Sequence, residues 1–148
     1  MTKFLLIVHV LAAIIAIGPV TVAASAFPPA ARRAAAEPDS GDALGTVRNL
    51  HRICRVYAAV GVVVPVFGFA TAGSMQVLGD AWLIVSIVLT ALAAGILALL
   101  ILPGQSAVLE DLGAVASARL AMYTGMFNLL WATVTVLMIV RPGSTTGA

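Results

Sequence analysis

The chain has 148 residues, 61% of them hydrophobic and only 9% charged, with a formal net charge of +2 and a mean hydropathy of +1.10. A soluble domain carries about 25% charged residues, so this much apolar surface cannot be hidden in a water-soluble core of its own. The composition carries neither a basic-aromatic stripe nor a glycine-rich phosphate loop, which leaves no sign of a nucleic-acid or nucleotide partner.

Apolar surface in such excess has to face lipid, where every backbone polar group must be satisfied inside the structure. Helices do this within one segment, and the alternating pattern of a membrane barrel is absent. The expected fold class is all-α: a polytopic membrane protein, a single four-transmembrane-helix bundle over residues 1–148. Crossing a hydrocarbon core of about 30 Å takes about 20 helical residues, and four runs qualify.

The first span is residues 4–26. It exceeds the 7–15 or so apolar residues of a secretory signal, and is expected to be a retained helix. His9, Ala12, Ala13, Ala16 and Ala23 recur along it at helical spacing, as a packing stripe. His9 lies about 8 Å into the span, where an ionisable side chain is a functional candidate by default. It is the one cofactor-binding candidate, as an axial haem ligand, a metal ligand or a partner for a quinone headgroup; the plainer alternative is a neutral ring bonded to a facing helix. Pro19 here and Pro65 in the second span each remove a helix donor, so each is expected to bend its helix and free a carbonyl.

The first loop, residues 27–55, is expected to be partly flexible, with a short helix over 30–37 between Pro28-Pro29 and Pro38. At its end Arg48, Arg52 and Arg55 follow at four- and three-residue spacing, which suits contact with anionic lipid headgroups or a partner and equally suits a topology signal. His51 and Cys54 share a helix face but fall short of the four ligands of a stable metal site, so no metal site is expected. Cys54 is the single cysteine, which precludes an intramolecular disulfide.

The second span is 56–75, followed by a tight turn near Gln76 and Asp80. The third is 81–102, ended by Pro103 and Gly104, with Ser86, Thr90, Ala94 and Ala98 as its packing stripe. The third loop covers 103–119. The fourth span is 120–140, presenting Thr124, Asn128, Trp131 and Thr135 on one side. Ser86, Thr90, Thr124 and Asn128 are the expected intramembrane polar packing residues, with Asn128 needing a hydroxyl or carbonyl partner on another helix. Arg32, Arg33, Arg48, Arg52, Arg55 and Arg119 fall on the first and third loops, against Lys3 and Arg141 on the other face, which puts those loops in the cytoplasm and both termini outside. His9 and His51 then lie near opposite faces, on the order of 20 Å apart, beyond the reach of one haem iron.

Every acid (Glu37, Asp39, Asp42, Asp80, Glu110, Asp111) falls outside the spans, which removes the usual proton-coupling group of a pump. No nucleophile–base set is visible, so no catalytic residue is assigned and the chain is not expected to be an enzyme.

The opening run Lys3-Phe4-Leu5-Leu6-Ile7-Val8-His9-Val10-Leu11-Ala12-Ala13, with Gly18 after it, resembles a family of uncharacterised bacterial four-helix membrane proteins. That resemblance implies a bacterial plasma-membrane location, and the Ala-, Val- and Arg-rich composition suits an actinobacterial genome. The function expected is a non-catalytic accessory or assembly subunit of a larger membrane complex, specifically of the respiratory chain, with other membrane subunits and the bilayer as partners and no cofactor. The alternatives are a haem- or quinone-binding redox module using His9, and a small-solute transporter.

Overall fold

The computed structural model describes residues 1–112 and 117–144, which form helices joined by short turns. In chain order these are α1 (Thr2–Ala36), α2 (Gly41–Val60), α3 (Val63–Met75), α4 (Ala81–Ile96), a π-turn (Leu97–Ile101), α5 (Leu102–Glu110) and α6 (Ser117–Val140). Taken through their junctions they give four rods long and apolar enough to cross a membrane: Thr2–Ala36, Gly41–Met75, Ala81–Glu110 and Ala118–Val140.

The first rod is longer than the apolar run predicts. Residues 27–36, expected to open a loop, continue α1 through Pro28 and Pro29. Two donors are lost there, but Phe27, Pro28, Ala31 and Ala34 are buried on one face, so packing outweighs the missing bonds. The connection to α2 shrinks to residues 37–40. Ser40 starts α2 by accepting a bond from the Ala43 amide at 3.3 Å, a side-chain cap. Residues 41–55, also expected to be loop, are amphipathic helix: Ala43, Val47, His51 and Cys54 are buried at spacings of four, four and three.

Pro65 acts four residues upstream of itself. It cannot bond to the Gly61 carbonyl, and the Val64 amide takes that acceptor instead at 3.1 Å, while the Val62 amide bonds Ala59 at 3.2 Å. These tighter i→i+3 bonds separate α2 from α3. Pro103 is handled in the opposite way. It was expected to end the third span, yet the helix runs on as α5, because the turn before it widens and the Leu102 amide bonds to Leu97. A π-turn takes in one extra residue where the regular ladder cannot be completed.

Three apolar clusters stack along the molecule. The middle one joins Val20, Ala23 and Ala24 of α1 to Cys54, Ala93, Leu97, Ile101 and Phe127. At the end bearing the arginines, Phe27, Ala31, Ala34, Ala43, Val47, Val108 and Leu120 form a second. At the opposite end Ala72, Trp82 and Leu83 form a third. There the Trp82 indole donates to Asp80 at 3.0 Å, the Arg141 guanidinium lies 5.7 Å from the Trp82 ring centroid, and the Thr2 and Ser74 hydroxyls bond α1 to α3. α5 passes close to α6, since a Cβ on Gly104 would lie 2.7 Å from Leu120.

The expected stripe on the third span splits. Ser86 is buried and Thr90 half-buried, but Ala94 and Ala98 are exposed. Four-residue spacing drifts by about 40° per step on an α-helix, so the buried line follows Ser86, Ala93, Leu97 and Ile101 instead.

The end cluster makes the extension of α1 a cooperative part of the fold. Phe27→Ala, which empties a fully buried site, should destabilise the protein by about 3–5 kcal/mol, measured by denaturant titration of helicity in mixed micelles.

Candidate functional site

The two histidines occupy different sites. His9 is half-buried on α1 against α3, where its Nδ1 lies 2.9 Å from the Val64 carbonyl. A carbonyl only accepts, so Nδ1 is the donor in this bond, and Nε2 is left pointing away from it. Gly68 is what allows the ring in, because a Cβ there would stand 3.0 Å from its Cε1.

His51 lies on α2 and faces α5. Its Nδ1 is 2.9 Å from the Gln105 side-chain oxygen, the Gln105 amide donates to the Cys54 sulfur at 3.5 Å, and Nε2 is 3.4 Å from the Ser106 hydroxyl. Ser106 also reaches the Leu102 carbonyl at 3.2 Å. Gln105 is 1% exposed, Cys54 0% and His51 9%, so these polar groups share a nearly dry pocket between the middle and end clusters. Roughly 20 Å of helical rise separates His51 from Val64, which keeps the two histidines apart as their spans imply.

Gln105 and Ser106 were assigned to a loop and therefore missed. The signal is present in the sequence: Ile101, Gln105 and Val108 recur at four and three residues, a helical face interrupted by one amide, but Pro103 lacks a helix donor and reads locally as a terminator. His51 and Cys54 were expected to share a face, and they do. What joins them is an amide from another helix, and among the described residues no group of three or more His, Cys, Asp or Glu is arranged to hold a metal ion.

On α6, Asn128 finds its hydroxyl partner in Ser25 of α1, at 3.2 Å. Ser86 does not bridge helices; its hydroxyl turns back to the Trp82 carbonyl at 2.8 Å. Thr71, Thr133 and Thr135 do the same within their own helices. Thr124 does not: its hydroxyl, the Asn128 oxygen and the Trp131 indole nitrogen are buried without a hydrogen-bond partner among the described residues. Arg48, Arg52 and Arg55 are all exposed on α2. Among the described residues the ion pair is Arg33 with Glu37 at 3.5 Å, which leaves those three arginines unpaired.

Comparison with protein-family models, curated proteins and solved structures finds no match to this chain.

Two substitutions separate the roles of these contacts. Gln105→Leu keeps the volume but strands the buried His51 donor, and should cost about 1–3 kcal/mol of stability in the same micelle titration. Gly68→Ala should push the His9 ring off the Val64 carbonyl, lower the thermal midpoint and shift the His9 ring resonances in an NMR spectrum while leaving those of His51 in place.

Proposed function

We propose that the chain crosses a bacterial plasma membrane four times and serves as a non-catalytic accessory or assembly subunit of a larger membrane complex. Its exposed large apolar side chains favour the crossing: on α1 they run from Phe4 to Val22 and on α6 from Met122 to Val140, in each case roughly 27 Å of helical rise, close to a hydrocarbon thickness. Beyond that band the exposed residues of α1 are Ser25, Pro29, Arg32, Arg33, Ala35 and Ala36, with no large apolar side chain among them. The end cluster thus forms a small helical cap outside the bilayer, and its arginines favour the cytoplasmic side, with both termini opposite.

The observation that carries the subunit reading is the exposed face that runs from α4 into the π-turn. Ala91, Ala94 and Ala98 lie uncovered at three- and four-residue spacing, a surface on which a further helix packs closely in lipid. Two polar pairs, His51 with Gln105 in the interior and Asn128 with the exposed Ser25, tie one helix to another. Purification in mild detergent from the native membrane should bring down a stoichiometric partner, and Ala94→Leu with Ala98→Leu should release it without unfolding the protein. Recovery of the chain alone from native membranes under those conditions would refute the reading. A respiratory-chain complex is the specific partner expected.

A redox module is the second reading, favoured by one observation. A ring whose Nδ1–H is held by a carbonyl presents an oriented Nε2, the arrangement used by ligating histidines. A Soret band in the purified protein, lost in His9→Ala, would establish it.

A further inference from the structure

We infer that the exposed arginine face of α2, where the cap meets the apolar band, binds the phosphate of an anionic phospholipid. The inference rests on the reading that the band lies in a bilayer. Arg48, Arg52 and Arg55 fall on one face of α2 by their spacing. His51 sits three residues after Arg48 and four before Arg55, on the flank of the same face, where its Nε2 meets the half-buried Ser106 hydroxyl at 3.4 Å. That hydroxyl already donates to the Leu102 carbonyl, and with a single proton to give it leaves the arginines as the donors open to a ligand. Exposed guanidinium groups on one helix face suit a phosphate, since Arg presents a fork of donors that matches phosphate oxygens.

The arginines are not equivalent. Arg48 lines a cavity of about 380 Å³ at the outer end of the cap together with Glu110 and Asp111, and those carboxylates repel an anion there. Arg52 and Arg55 lie one and two turns nearer the apolar band. Immediately below them Val56 and Val60 are 50% and 40% exposed, with Ala59 exposed between them. Charge above and an open apolar track beneath match a phosphate headgroup with its acyl chains, and a free phosphate would leave that track uncovered.

The test is native mass spectrometry of the full chain in non-ionic detergent, titrated with equal amounts of phosphatidylglycerol and phosphatidylcholine of the same acyl chains. The wild-type protein should retain phosphatidylglycerol preferentially. Arg52→Gln with Arg55→Gln should weaken that retention by about fivefold per arginine. Lys3→Gln with Arg141→Gln, at the opposite edge of the band, should leave it unchanged. Equal retention of the two lipids by the wild type overturns the inference whether or not any variant folds, as does an unaltered preference in a folded Arg52/Arg55 variant. Competition by millimolar glycerol phosphate would reassign the site to a soluble anion and overturn the lipid assignment. Failure of the membrane reading would show separately, as a protein that stays monodisperse without detergent.

Discussion

One line of residues on α1 runs through two of the three apolar clusters. Ala16, Val20, Ala23, Ala24, Phe27, Ala31 and Ala34 are buried along a single face, and most of them are alanine. Small side chains let backbones approach closely, and close packing is the main attraction left between helices when the surroundings are as apolar as their side chains. α2 and α3 pack along one side of this post and α6 along another, so the positions of the other helices follow from how near α1 lets them come. Alanines line the post in both clusters, and Phe27 is the one large side chain by which it anchors the cap.

Magnitudes divide the work between packing and polar contacts. Burying a side chain such as Phe27 is worth about 1.5–3 kcal/mol, whereas an internal hydrogen bond nets about 1 kcal/mol. Packing therefore dominates stability. The polar contacts act through the penalty for losing a partner, which is larger in a dry pocket. His51 with Gln105 sets the register of α5 on α2, His9 with Val64 that of α1 on α3, and Asn128 with Ser25 that of α6 on α1. Thr124 and Trp131 extend this polar line along α6 with groups that find no hydrogen-bond partner among the described residues.

The sequence displayed the bundle more clearly than the cap. Hydrocarbon-length apolar runs are a composition signal and survive any detail of packing, so the rods, the tight turn near Gln76 and the separation of the two histidines were legible. The cap was not, because prolines were given their local meaning. Pro28, Pro29 and Pro103 each remove a helix donor, which in isolation favours termination; here Phe27 and Ala31 on one side and Ile101 and Val108 on the other are buried across them, and tertiary contact prevails. Gln105 was lost for the same reason, since a residue placed in a loop has no face to share. The capping of α2 by Ser40 and the periodicity from Ala43 to Cys54 were available and would have recovered that helix.

The π-turn at Leu97–Ile101 makes the rotational phase of α5 independent of that of α4. An uninterrupted α-helix advances about 100° per residue, and a single residue taken into a wide turn is enough to rotate everything beyond it by that amount. Re-closing that turn as regular α-helix with the sequence unchanged would swing Gln105 away from His51 and bring a neighbouring side chain to it, with α4 undisturbed. A one-residue change in the 37–40 connection has no such lever, because α1 and α2 are each held by their own buried face. The third rod thus behaves as two helices coupled through an indexing joint, and the joint rather than the bundle decides which side chain of α5 the histidine meets.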